Sequence, residues 1–412
     1  MRPPGCRRST NPLTRAGGRF SGIILASVLA LPLLRAEPYT PASDDEVLER
    51  LPAGFRRAEA RRDQDNLAND PENLRESVTL ADSYLETARA EGDGRYHGFA
   101  QAVLSPWWDR DPMPLEVLFL RGRIRVGQWA FESAAPDLDR LLAQQPNHVG
   151  AHRLRFDVAV ARGEFDLAER LLTRAMAAAP GDTWIIARAK LLRLRGDALS
   201  AEALVTSWLE STQTLRVEDR HEALGLLADL ALQTGRIDLA RQRFEAQREL
   251  GRRDVAATVA YADFLLDQGK PASVFPMAEG ESTSLAVALR LVVALDAVSG
   301  DDVSTERRER RKALGDQVRQ QLEAQERRGD PSGLPDLVYH LLRIENSAGD
   351  AAIQARDLWA LRRELSDARW VLSAAVEARE KTLGKAVADW VRTNHISDVR
   401  LKPWLERVEA WR

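Results

Sequence analysis

Apolar residues recur at helical spacing from Asn73 to the C-terminal end of the chain. Leu74, Val78, Ala81 and Leu85 fall on one stripe of a helix over 73–89. Gly92-Asp93-Gly94 breaks it, and a second helix is predicted over Tyr96–Leu104. The loop 105–112 that follows carries paired tryptophans, Trp107 and Trp108. Helix, glycine-bearing turn and helix then alternate: Gly196-Asp197 divides 182–210, and Gly235 divides Val217–Gly251. A helix over Val255–Gln268 has a short successor, cut by Pro276 and Gly280, which predicts a kink or a boundary there. Beyond it the pattern predicts helices over 282–299 and 304–328, then Leu334–Asn346 with Ala351–Leu361 and Asp367–Ala378 with Thr382–Arg392. A closing helix is predicted over Ser397–Trp411, with Ser397 as its N-cap.

Two segments between Pro114 and Pro180 repeat each other. Phe131 and Phe165, Ala134 and Ala168, and Pro146 and Pro180 are each 34 residues apart. A fixed period of this length marks a stacked array of helix pairs. Each residue type has a physical reason. The alanine sits where the second helix of a pair crosses the first, and the aromatic three positions earlier fills the space between pairs. Gly163 supplies a left-handed turn, and the prolines end one pair and start the next. One pair cannot bury its apolar face alone, so the pairs stack.

This pattern resembles the tetratricopeptide repeat. Segment 149–182 matches with Gly163, Phe165, Ala168, Ala175 and Pro180, and segment 115–148 with Gly122, Phe131, Ala134 and Pro146. The second of these has Trp129 where the family usually has its turn glycine, and the early tryptophan and Leu-Gly pair of the strict consensus are missing from both. The resemblance implies an all-α, right-handed α-solenoid of tetratricopeptide-like helix pairs. It also implies a scaffold that binds a protein or peptide in a concave groove.

Composition refines this. No run is rich in Val, Ile and Thr, while Ala, Leu, Arg and Glu dominate, so the expectation stays all-α. Residues 1–36 carry six arginines and no acid, and an apolar stretch runs from Phe20 to Leu34. This reads as an export signal ending at Ala36. The alternative is a retained membrane anchor over residues 20–35. Without 1–36 the chain holds 53 bases against 62 acids, a charge near −9 that argues against nucleic acid as a partner. The only cysteine, Cys6, precedes the apolar stretch, so a processed chain has neither disulfide nor thiolate. Four regions are expected: the signal or anchor over 1–36, an extended acidic lead-in over 37–72, tetratricopeptide-like repeats over 73–279, and degenerate repeats with a capping helix over 280–412.

Candidate chemistry is sparse. His148 and His152 have an i, i+4 spacing but no third ligand, so neither metal nor cofactor is expected. No phosphate-cradling glycine loop and no Gly-x-Ser-x-Gly elbow is present. The basic stretch 307–312 reads as a solvated helix face. Five of the ten tryptophans fall in 359–411 and read as the sealed end of the array. The first helices of pairs two to four are rich in cations. Arg123, Arg153 and Lys190 take the groove-facing register, which makes an anionic segment the candidate ligand. Trp107 and Trp108 are candidate aromatic contacts. The reading is an exported, non-enzymatic scaffold, periplasmic or secreted. Two alternatives stay open: a membrane-tethered envelope assembly factor, and an envelope enzyme working through carboxylates in the groove.

Overall fold

The computed structural model describes residue 70 and residues 72–411, apart from 213, 279–283 and 299–303. The expected signal, the lead-in over 37–69, Cys6 and Gly280 lie outside the described residues. Helix α1 (Leu74–Glu91) starts where Asn73 accepts the N–H of Glu76 at 3.2 Å, and it ends at Gly92 in a left-handed turn of φ 62°. α2 (Arg95–Val103) folds back on it. The same hairpin recurs as α3 (Leu115–Gly127) with α4 (Phe131–Gln144), and as α5 (Val149–Ala161) with α6 (Phe165–Ala178). It recurs again as α7 (Ile185–Leu194) with α8 (Ala198–Ser211), and as α9 (Val217–Gln233) with α10 (Ile237–Glu249). α11 (Val255–Asp267) is followed by the short α12 (Phe275–Ala278), then α13 (Leu285–Val298) with the long α14 (Thr305–Arg328). α15 (Leu334–Arg343), α16 (Ala348–Leu361), α17 (Leu365–Glu377), α18 (Lys381–Thr393) and α19 (Lys402–Glu409) complete the chain. Among the described residues there is no strand.

The repeat residues do what their chemistry requires. Ala134, Ala168, Ala201 and Ala240, at the helix crossings, are fully buried. Gly122 lets α3 approach α4 closely, since a Cβ there would lie 2.9 Å from Leu138 Cδ2. Two expectations change. Pro276 lies inside α12, near its start, where a missing N–H costs no helical bond, so it does not end that helix. The closing helix begins at Lys402 and not at Ser397. The carbonyl of Ser397 accepts the side-chain amide of Gln233 at 2.7 Å, and this long-range bond takes the place of a local cap.

The array closes on itself along one edge. The turn inside each of the first five pairs meets a segment from the later half of the chain. At the first turn, Gly92 lies against Val255, and Arg89 bonds Asp254 at 2.9 Å. At the second, the guanidinium of Arg362 stacks 4.1 Å over the Trp129 ring. At the third, the Arg363 N–H donates to the Ala161 carbonyl at 2.7 Å, and Gly163 abuts Trp390. His395 covers Gly196 at the fourth, and Val399 covers Gly235 at the fifth.

The largest core therefore joins distant parts of the chain. It combines Phe156, Phe165 and Trp184 with Val338, Trp359, Leu372, Trp390 and Leu401. Trp390 packs 5.8 Å from Phe165 and edge-on to Trp359 at 5.1 Å. The late tryptophans are thus split in role. Trp359 and Trp390 sit at this internal seam, while Trp411 packs on Gly384 at the terminal helices.

Trp390→Ala is expected to cost about 3–5 kcal/mol, the usual range for emptying a buried aromatic site. Urea unfolding followed by circular dichroism should keep a single transition with an unchanged slope. Two separated transitions in the wild-type protein would show that the seam does not couple the two halves.

Candidate functional site

The inner helices enclose a lumen of about 990 Å³. Its wall is built from α5 (Arg153), α7 (Lys190, Arg193), successive turns of α9 and α11, and part of α17. Ala256, Ala257 and Ala260 line part of it with small side chains. Asp398–Leu401, Pro403 and Trp404 from the C-terminal segment complete it.

Arg153 and Lys190 come together on one carboxylate. Glu222 of α9 accepts from Lys190 at 2.9 Å and also from Arg153. Neighbouring packed helices lie about 8–10 Å apart. Arg153 on α5 reaches α9 past α7, which a straight row of helices would place out of range. The array therefore curves tightly inward at this point. Burial pushes the Glu222 carboxyl up, but the Lys190 and Arg153 charges outweigh it and hold the group at about 2. Burial presses the Lys190 ammonium down, and Asp157 and Glu222 outweigh it in the other direction. Asp157 behaves oppositely: burial raises it more than Lys190 and Arg153 lower it. Glu222 is the acid of the cluster whose carboxyl is held down, and two cations share it.

A second cluster lies two turns along α9. Asp229 binds Arg193 of α7 and accepts from Arg400 at 2.7 Å, and Arg400 also bonds Asp398 at 2.6 Å. Burial acts against the Asp229 charge, yet Arg193 and Arg400 draw its carboxyl below the ordinary range. Arg369 pairs with Asp267 at 2.6 Å, and Arg252 with Glu218 at 2.9 Å. The lumen cations are thus matched by lumen carboxylates.

Arg123 does not line this lumen. It reaches from α3 to Asp82 and Glu86 on α1, beside a smaller cavity of about 410 Å³ that includes Asp82 and Phe119. Trp107 is buried in the core of the first pairs. Trp108 is half-buried, with Arg121 and Arg125 each 5.8 Å over its ring and its carbonyl accepting from Arg121 at 2.5 Å. His148 accepts the Ala151 N–H as the cap of α5, and His152 contacts the Pro146 carbonyl at 2.7 Å. Among the described residues no group of three or more His, Cys, Asp or Glu could hold a metal. No helix among them is long and apolar enough to cross a membrane.

No protein-family model and no curated protein matches the chain. Among solved structures, it is similar to the APC/C hetero-tetramer Cut9–Hcn1, at 12% identity over 85% of this chain and 86% of that one, with a TM-score of 0.29. It is also similar to the TPR domain of P58(IPK), at 13% identity over 86% of this chain and 98% of that one, with a TM-score of 0.21. Neither superposes globally, and the fold rests on the helix pairs themselves. The chain is an all-α array of tetratricopeptide-like pairs. Arrays of this kind present extended concave surfaces to partners.

Glu222, Asp229, Gln233 and Arg400 escape a reading of the sequence. Apart from Asp398, two residues before Arg400, their partners lie between 32 and 171 residues away, and in sequence each is one more polar residue on a charged helix or loop. Of the three cations picked by repeat register, Arg153 and Lys190 line the lumen and Arg123 does not; Arg193, not picked, lines it as well.

The low Glu222 value has a consequence for stability. Its contribution is fully present above its ordinary 4.5 and is lost as pH falls toward about 2. Glu222→Gln should lower the melting temperature at pH 7 by about 2–8 °C. The gap from wild type should close as the pH is lowered through that window. An equal gap at pH 7 and pH 2.5 would show that the charge is not what matters.

Proposed function

We propose that this protein is an exported, non-enzymatic scaffold that holds an extended protein segment in the lumen of its array. One observation carries this reading: inner helices from four consecutive pairs curve around a lumen in which Arg153 and Lys190 meet on Glu222. Two cations on one acid repel each other. A carboxylate on a partner segment can take one of the two cations from Glu222, which favours an anionic segment. The lumen walls also offer the half-buried Trp370 and Trp404 for apolar side chains of the same segment. Arg123, Trp107 and Trp108 stand outside the lumen wall and take no part in this reading.

Export rests on the arginine-flanked apolar stretch within 1–36. Removal of that stretch gives a periplasmic or secreted protein, and its retention gives one tethered through residues 20–35.

The test is capture from envelope extract by the tagged full chain expressed with its own N-terminus, at low and high salt. The comparison is Arg153→Ser/Lys190→Ser against Arg188→Ser, an exposed arginine on α7. A protein retained at low salt by wild type and Arg188→Ser, and lost from the double variant, is the expected result. Equal retention by the double variant would overturn the lumen reading. Mass spectrometry of the bait decides the location: a start at Glu37 marks a processed protein, and an intact N-terminus marks a tethered one.

A further inference from the structure

The segment between α18 and α19 is held in a manner unlike the rest of the chain. Residues 394–401 are not helical, and they cross the ends of α7 and α9 as a strap. His395 ends α18 in a left-handed turn of φ 55°, closed by the Ile396 N–H donating to the Val391 carbonyl at 3.0 Å. Its carbonyl oxygen lies 2.2 Å from where a Cβ on Gly196 would stand, so only glycine at 196 lets the strap lie down. Gln233, itself buried, then reads the strap's backbone at two points. Its side-chain amide donates to the Ser397 carbonyl at 2.7 Å, and its main-chain carbonyl accepts the Val399 N–H at 3.1 Å. Its side-chain oxygen meanwhile accepts from Arg193 at 3.0 Å, which fixes the amide's orientation. Arg400 enters the lumen cluster on Asp229, and Ile396 and Leu401 are buried as apolar anchors on either side.

Two-point backbone pairing, one half-buried ion pair and flanking aliphatic anchors are how a groove recognises an extended peptide. Here the peptide is the chain's own. We infer that Arg193, Gly196, Asp229 and Gln233 form a binding site for an extended segment with an arginine followed by an aliphatic residue, and that residues 396–401 fill it in cis as a displaceable strap. A partner segment with that Arg-aliphatic pair takes the position of Arg400 and Leu401 and lifts Asp398–Leu401 off the lumen wall. The inference deepens the lumen reading and rests on it for the partner, while the strap's own exchange is measured independently.

A strap in the same chain acts at an effective concentration on the order of millimolar, so an added peptide competes only once the strap is weakened. The test uses the full chain and a synthetic peptide of residues 395–405. In wild type, hydrogen exchange of the Val399 and Leu401 amides should run at least about 100-fold faster than that of Leu227 and Leu230 in α9, by local opening. Exchange of both sets at one common rate would show that the strap opens only with global unfolding, and would overturn the inference. In Arg400→Ala, strap protection should fall and the peptide should bind at least about tenfold more tightly than to wild type. A peptide with its own arginine replaced by alanine should not. Lys402→Ala, at an exposed position beyond the strap, should behave as wild type. Equal peptide affinity for Arg400→Ala and wild type would discard the site. If partner capture still depends on Arg153 and Lys190 while the strap tests fail, the strap alone is wrong. If the peptide exchanges but capture is indifferent to those cations, it is the lumen reading that is wrong.

Discussion

Closure of the array along its row of intra-pair turns is the constraint on which the rest depends. An open stack of helix pairs leaves those turns in water. Here Trp129, Gly163, Gly196 and Gly235 are covered in succession by Arg362, Trp390, His395 and Val399. Each covered turn adopts positive φ, so the backbone stays close to the helix ends and the later segment can approach. A left-handed conformation at a residue with a Cβ costs about 1–2 kcal/mol. At Trp129 the ring is held between Phe131 and the Arg362 guanidinium, and a cation stacked on an aromatic face contributes about 0.5–2 kcal/mol. The two effects are of the same size. The departure from glycine is thus offset by the closure it helps to form.

Closure also decides the electrostatics inside. A tightly curved array brings inner helices from non-adjacent pairs within reach, as Arg153 and Glu222 show. The carboxylates of α9 and α11 are met by cations from α1, α5, α7, α17 and the strap. Charges taken from water need such partners, since an unpaired buried charge costs several kcal/mol. Curvature and charge pairing therefore reinforce each other. The pairs hold the inner helices in register, and the register keeps the pairs within hydrogen-bond distance.

The fold was legible wherever it depended on local spacing. The 34-residue period, the crossing alanines and the turn glycines identify the hairpins because each acts within its own pair. The closure was not legible. It joins residues such as Gly163 and Arg363, whose 200-residue separation leaves no periodic trace. The closing helix shows the same limit. Ser397 followed by apolar and charged residues is a sound local start for a helix, and a tertiary bond from Gln233 overrides it. Within the candidate site, the helical register pointed to Arg123, Arg153 and Lys190, of which Arg123 lies elsewhere, and it passed over Arg193, which lines the lumen. Arg121 and Arg125 turn instead to Asp137 on α4, and Arg155 turns to Asp139. The acids that complete the site had no such marker, because a carboxylate on a solvated face and one in a lumen look alike in sequence.

The strap is where these strands of argument meet. It is non-helical chain that both covers turns of the closure and lines the lumen, so it belongs to the seam and to the site at once. Its hold on Gln233 is through backbone groups, which any extended segment possesses, and its selectivity comes from Arg400 and the two aliphatic anchors. A helix docked at the same place would bring its backbone bonds already satisfied internally and would gain nothing from Gln233. An extended strap gains all of them. The use of an unwound segment at this one point, in a chain otherwise built from helices, is what leaves its backbone groups free to pair with Gln233.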